Sequence, residues 1–134
     1  ILNGSFIFAA DLMREIELSA QISFVKLASY VGTSSTGSVC EMIGLNVDIS
    51  GRDVVVVEDI VDSGLTMKYV TEMLAKYNPR SISICTLLLK PGNLKVDLDI
   101  PYKCFSIPND FILGYGLDYD GYGRNTRDIY TVVE

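Results

Sequence analysis

Four consecutive valines, Val54-Val55-Val56-Val57, run directly into the acid pair Glu58-Asp59, and a third acid follows in Asp62-Ser63-Gly64-Leu65-Thr66. A β-branched run without polar alternation predicts a strand over Asp53 to Val57 that is buried on both faces, as in a parallel sheet covered by helices. Parallel strands need a crossover, and the next segment offers one: Met67, Val70, Met73-Leu74 and Tyr77 recur at helical spacing until Asn78-Pro79 stops them. Ser81 to Leu89 is a second continuous apolar run. Strand, helix and strand of these lengths make a βαβ unit, which sets the class as α/β with a right-handed crossover.

The flanking segments fit that class. Phe6, Ala9-Ala10, Met13 and Ile16 recur at helical spacing with Asp11, Arg14, Glu15 and Glu17 between them, predicting a helix that follows the end of a strand. Ile22 to Val31 alternates as a strand, Val39 to Leu45 reads as its hairpin partner, and residues 32–37 form a polar loop of lid-like composition. Shorter strands are expected at Lys103 to Phe105, Ile112 to Leu113 and Ile129 to Val133. A chain of 134 residues without repeat or linker suits a single domain over 1–134.

Composition narrows the chemistry chiefly by what is missing. With no histidine, Ser-His-Asp and Cys-His nucleophilic sites and His-ligated zinc are excluded, so any acid or base is a carboxylate, Lys, Tyr or Cys. Cys40, Cys85 and Cys104 are too widely spaced for a paired zinc motif and odd in number, which argues for reduced thiols. A net charge of −6 without a basic stripe argues against a nucleic-acid partner. No apolar stretch approaches the ~18 residues of a spanning helix and no secretory signal opens the chain, so a cytoplasmic protein without a membrane partner is expected.

In open α/β sheets ligands sit beyond the carboxyl ends of the strands, where free N–H groups at a helix start bind anions. A phosphate therefore fits over Asp62 to Thr66, with the Ser63 and Thr66 hydroxyls as donors and Gly64 allowing close approach. Glu58 and Asp59 would repel it, so their work is to accept hydrogen bonds from sugar hydroxyls or help bind a hard cation. Phosphate donors beside hydroxyl acceptors suit a ribose 5-phosphate. Without a lysine after the glycine this is not a Walker A loop. A lone Asp-Ser-Gly would be read as a helix cap at Asp62 or Ser63; the acid-acid-apolar-apolar-acid-Ser-Gly-x-Thr pattern after a valine run is more specific.

Val56 to Thr66 resembles the phosphoribosyl pyrophosphate signature of type I phosphoribosyltransferases, and three further segments resemble the hypoxanthine-guanine branch in the same order. Leu2-Asn3-Gly4-Ser5 is similar to its pyrophosphate loop. Ser29-Tyr30 with Ser35-Thr36-Gly37 is similar to its mobile lid. Phe111 to Tyr119 with Arg124 is similar to its purine and magnesium segment. The resemblance implies a central, mainly parallel sheet flanked by helices, with a mobile β-hairpin lid and a small C-terminal hood. It also implies a helix and most of a core strand upstream of Ile1, so the chain is expected to be N-terminally incomplete.

For the site, the resemblance implies Asp62 as general base near purine N7, Glu58 and Asp59 at the ribose hydroxyls, and Asp62, Ser63, Gly64, Leu65 and Thr66 around the 5-phosphate. Asn3, Gly4 and Arg124 would bind pyrophosphate. Ser29 and Tyr30 would belong to the lid, and Lys90, Phe111, Ile112 and Asp118 would serve the purine. Lys90 would reach the exocyclic oxygen of a 6-oxopurine; Phe111 would stack on the base and Ile112 present backbone groups to its edge. Magnesium (Mg2+) would be held by Asp118, Glu58 and Asp59. The family often has lysine where this chain has Asn3, which removes a charge there but leaves the backbone role, commonly with a cis peptide. Phosphoribosyl pyrophosphate and a 6-oxopurine base are the implied substrates, in a homodimer or homotetramer. The competing expectation is a regulatory protein that binds phosphoribosyl pyrophosphate without turnover, which would not need Lys90, Phe111, Asp118 and Arg124 together.

Overall fold

The computed structural model describes residues 1–31 and 38–133; the Ser35-Thr36-Gly37 part of the expected lid lies outside the described residues. Its centre is a three-stranded, all-parallel sheet of β3 (Asp53–Val61), β4 (Ser81–Leu89) and β5 (Tyr102–Ser106), in that order. Helix α2 (Leu65–Ala75) makes the β3-to-β4 crossover, so the expected βαβ unit is present, and α1 (Phe6–Glu15) precedes it in the chain. Two antiparallel pairs flank the sheet: β1 (Lys26–Val31) with β2 (Ser38–Ile43), and β6 (Ile112–Leu113) with β7 (Tyr130–Thr131).

The core divides into two clusters. Met67, Val70 and Leu74 of α2 pack with Val56, Ile84, Val61 and Leu89, while Phe8 of α1 packs with Cys85, Leu87, Leu88 and Leu117. Met67 and Val70 are 1% and 0% exposed, and full burial of such a side chain stabilises by about 1.5–3 kcal/mol. Along β3 the alternation of a strand holds as far as Val57: Val54 and Val56 join the α2 cluster and Val57 the α1 cluster. Beyond Glu58 it shifts by one, with Ile60 on the α1 cluster and Val61 on the α2 cluster. At the amino ends of β3 and β4, Asp53 accepts hydrogen bonds from the Arg80 guanidinium and the Ser81 hydroxyl, fixing the register from its start.

Three expectations need correction. The valine run is not buried on both faces: Val55 is 52% exposed and belongs to neither cluster, because burial follows where the two helices lie and α1 engages the later part of the strand, through Val57 and Ile60. Strand β1 starts at Lys26, four residues after Ile22, and β2 ends at Ile43, short of Leu45. Both limits have one cause: Lys26 and Ile43 form the last pair, and Gly44, at φ 100°, turns the chain away from the ladder. Finally, Glu58 and Asp59 lie inside β3, which continues to Val61, so only Asp62 stands beyond the strand end.

Candidate active site

The site begins with the two acids in β3. The Glu58 Oε1 accepts the N–H of Asp59 at 3.1 Å, and Asp59 Oδ1 accepts the N–H of Ile60 at 2.9 Å. These local bonds fall where β3 and β4 skip a pairing, between Glu58↔Thr86 and Ile60↔Leu88. Glu58 is 8% exposed and sits beside the fully buried Thr86. Burial first, and then the adjoining Asp59 carboxyl, push the Glu58 carboxyl up to about 9. An acid in that state accepts and donates hydrogen bonds at neutral pH and ionises when a cation or a set of donors arrives.

Past Val61 the chain turns through Asp62 and Ser63 to Gly64, which caps α2 at φ 85° without any side-chain cap bond. Gly64, not Asp62 or Ser63, is the cap residue, although Ser63 Oγ accepts the N–H of Leu65, the first residue of the helix, at 3.3 Å. The remaining N–H groups of the first turn are the kind that a helix start presents to an anion. Leu65 and Thr66 lie exposed in that first turn. Gly64 is required for packing as well as for φ: a Cβ there would lie 2.9 Å from both Leu98 Cδ1 and Val96 Cγ2.

Lys90, at the end of β4, is 8% exposed and thus not a solvated strand-end charge. Its N–H donates to the Val61 carbonyl at 3.0 Å, and its Nζ stands 3.6 Å from Asp62 Oδ2. Asn93 Nδ2 donates to Asp62 Oδ1 at 2.8 Å. An open cavity of about 540 Å³ lies here, lined by Asp62, Ser63, Gly92, Asn93, Leu94 and Lys95.

The amino-terminal turn closes on the same region. The Leu2-Asn3 peptide is cis, and Gly4 lies so close to Asp59 that an added Cβ would fall 2.0 Å from its Oδ2. On its other side Gly4 meets Gly116, whose added Cβ would be 2.3 Å from the Gly4 carbonyl oxygen. Arg124 Nη1 donates to the Gly116 carbonyl at 2.6 Å, and its Nη2 stands 3.4 Å from Asp118 Oδ1. The expected pyrophosphate residues Asn3, Gly4 and Arg124 are thus joined through Gly116 to the acid at 59. Replacing Gly116 by alanine is expected to cost about 1–3 kcal/mol, since φ is 101° and no room exists for the methyl. Thermal unfolding measures that cost.

Phe111 is 56% exposed, and Tyr119 packs against it with ring centroids 5.7 Å apart at 88°, so one aromatic holds the other while much of the Phe111 surface stays open. Ile112 begins β6, and the Phe111 carbonyl accepts the Val132 N–H at 2.8 Å. Phe111 does not line the 540 Å³ cavity. Among the described residues no three Asp, Glu, His or Cys side chains converge to hold a metal; Glu58 and Asp59 are adjacent in β3, and Asp118 stands beside Arg124. Ser29 and Tyr30 fall in the β1 ladder, opposite Cys40 and Val39, and not in the loop itself. Sequence reasoning missed Asn93, Asn109 and Gly116. The Pro91-Gly92-Asn93 turn directly after a buried strand was a usable signal for the first, because ligand sites collect at such strand ends.

The sequence pattern of the phosphoribosyl transferase domain family matches residues 1–120. The hypoxanthine-guanine phosphoribosyltransferase of Mycobacterium tuberculosis (strain ATCC 25618 / H37Rv) is 46% identical over 133 residues, covering 98% of this chain and 66% of that relative. The hypoxanthine phosphoribosyltransferase of Escherichia coli (strain K12) is 46% identical over 120 residues, covering 89% and 67%. The chain thus spans about two thirds of the length of these relatives. A crystal structure of a Staphylococcus aureus hypoxanthine phosphoribosyltransferase superposes with a TM-score of 0.89 at 40% identity, over 98% of this chain and 72% of that one.

Proposed function

Because this chain belongs to the phosphoribosyl transferase family, we propose that it moves 5-phosphoribosyl from phosphoribosyl pyrophosphate to N9 of hypoxanthine or guanine, giving IMP or GMP and pyrophosphate. The observation that carries this reading is the meeting of the Asp62 carboxylate, the buried Lys90 ammonium and the glycine-capped start of α2 at the ends of two adjacent parallel strands. One place then offers a proton acceptor, a donor for an exocyclic oxygen, and N–H groups for a phosphate.

In this reading the 5-phosphate sits over Asp62 to Thr66, held by α2 N–H groups and the Ser63 and Thr66 hydroxyls. Glu58 and Asp59 take the ribose hydroxyls. Lys90 donates to the 6-oxo group, whereas the amino group of a 6-amino purine offers that ammonium no acceptor. Phe111 stacks on the base, Ile112 offers backbone groups to its edge, and Asp62 accepts the proton that the base loses. The Asn3-Gly4 turn and Arg124 hold the departing pyrophosphate.

Hard carboxylate oxygens at Asp118, Glu58 and Asp59 suit Mg2+ bound by one or two protein carboxylates at a time, and these are the residues that would hold it. When bound, the ion neutralises charge on pyrophosphate as it leaves. Orientation of both substrates supplies much of the rest of the barrier reduction. We place the reaction in the cytoplasm and expect a homodimer or homotetramer; no helix among the described residues is long and apolar enough to cross a membrane.

The test is pyrophosphate release by the protein mixed with phosphoribosyl pyrophosphate, Mg2+ and hypoxanthine. Base-dependent release is expected. Binding of phosphoribosyl pyrophosphate without base-dependent release would replace the enzyme by an effector-binding protein.

A further inference from the structure

Asp62 is held by more than Lys90. Its side chain is 53% exposed, and a carboxylate so open to water has no fixed rotamer unless something grips it. The ammonium of Lys90, 3.6 Å away, is beyond hydrogen-bond length. The short contact is the one from Asn93, at 2.8 Å to Oδ1.

Asn93 is itself fixed. It closes the 3-10 turn Pro91–Asn93, where its N–H donates to the Lys90 carbonyl at 3.1 Å. Its Nδ2 carries two hydrogens and meets two acceptors, Asp62 Oδ1 at 2.8 Å and Asn109 Oδ1 at 2.7 Å. Turning the amide over would set its oxygen against the Asp62 carboxylate, which can only accept, so that partner determines the orientation. Asn109 lies in the segment after β5, which is anchored where the Ile107 N–H donates to the Leu89 carbonyl at 2.8 Å. The loops that follow β3, β4 and β5 therefore meet in one chain of hydrogen bonds, Asn109 to Asn93 to Asp62.

We propose that Asn93, supported by Asn109, is a positioning residue: it occupies Oδ1 of Asp62 and so presents Oδ2 as the oxygen that accepts the proton of the base. The proposal rests on the phosphoribosyl transfer reading above and adds to it which oxygen works and what aims it.

The test is a double-mutant cycle on the full protein with Mg2+, hypoxanthine and phosphoribosyl pyrophosphate. Asn93→Ala is expected to lower kcat roughly 10-fold, the order expected for one hydrogen bond to a charged group, with KM for both substrates within about two-fold. In an Asp62→Ala background the same change is expected to have no further effect, since the group it aims is gone. Asn109→Ala is expected to give a smaller loss that vanishes in the Asn93→Ala background. Wild-type kcat in Asn93→Ala, or an equal loss with and without Asp62, would overturn the proposal while leaving the transfer reading intact. Absence of base-dependent pyrophosphate release in the unmutated protein would remove that reading itself.

Discussion

Asp62→Asn is expected to lower kcat by roughly 10²–10⁴-fold, the contribution of a well-placed general base, while KM for the purine changes by only a few-fold. Asparagine keeps the shape of the side chain and one carbonyl oxygen for the Asn93 amide, so the turn into α2 at Gly64 has no reason to move. What disappears is the oxygen able to take a proton, together with the negative charge 3.6 Å from the buried Lys90 ammonium. In the proposed reading ground-state binding of the base rests on Lys90, Phe111 and Ile112, which the substitution leaves in place, so the loss is expected to fall on the chemical step. Steady-state kinetics with hypoxanthine as the varied substrate separates the two constants. Near-wild-type turnover would remove Asp62 from the role, and a large rise in KM with unchanged kcat would recast it as a binding group.

How much of this could be read beforehand depends on whether the cause was local or tertiary. The βαβ unit was legible because its signals are local: an apolar run, a helical period ended by Asn78-Pro79, and a second apolar run. Exposure of Val55 was not, because cover on that face is set by where α1 docks. The limits of β1 escaped for a related reason, since the strand ends where its partner turns away at Gly44, a residue eighteen positions from Lys26. In the site, the turn from Asp62 to Thr66 announced itself by composition. Lys90 did not: a lysine after three leucines reads equally as solvated or buried until the neighbouring loop at Asp62 is brought beside it. Asn93 and Asn109 carry no periodic pattern, and their meaning appears only when the loops after β4 and β5 are brought together. Gly4 and Gly116 are similar cases, two glycines far apart in sequence whose value lies in how closely their backbones meet.

Glu58→Gln is expected to stabilise the ligand-free protein at alkaline pH and to weaken it as a binder of the ribose. The carboxyl of Glu58 is held near 9, against an ordinary value of 4.5, by burial and then by the neighbouring Asp59. A raised value means the folded state binds this proton more tightly than the unfolded chain does. Its stabilising contribution is therefore complete below about pH 4.5 and is lost as pH rises toward 9. Each tenfold change in proton affinity corresponds to about 1.4 kcal/mol, so the unliganded wild type is expected to lose several kcal/mol across that window from this group. Glutamine has the same shape and no proton to lose. Urea unfolding of the substitution variant at pH 8.5 and at pH 5 is expected to show a clear gain over wild type at the higher pH and little difference at the lower. A pH-independent difference would mean that Glu58 does not titrate in this window. The functional cost follows from the same chemistry: a carboxylate offers two acceptor oxygens to ribose hydroxyls or a cation, whereas the amide offers one acceptor and no charge. KM for phosphoribosyl pyrophosphate is accordingly expected to rise by about 10-fold, the order of one lost charge-assisted hydrogen bond. A pH-dependent gain in stability without any change in that constant would separate the buried acid from the ribose site.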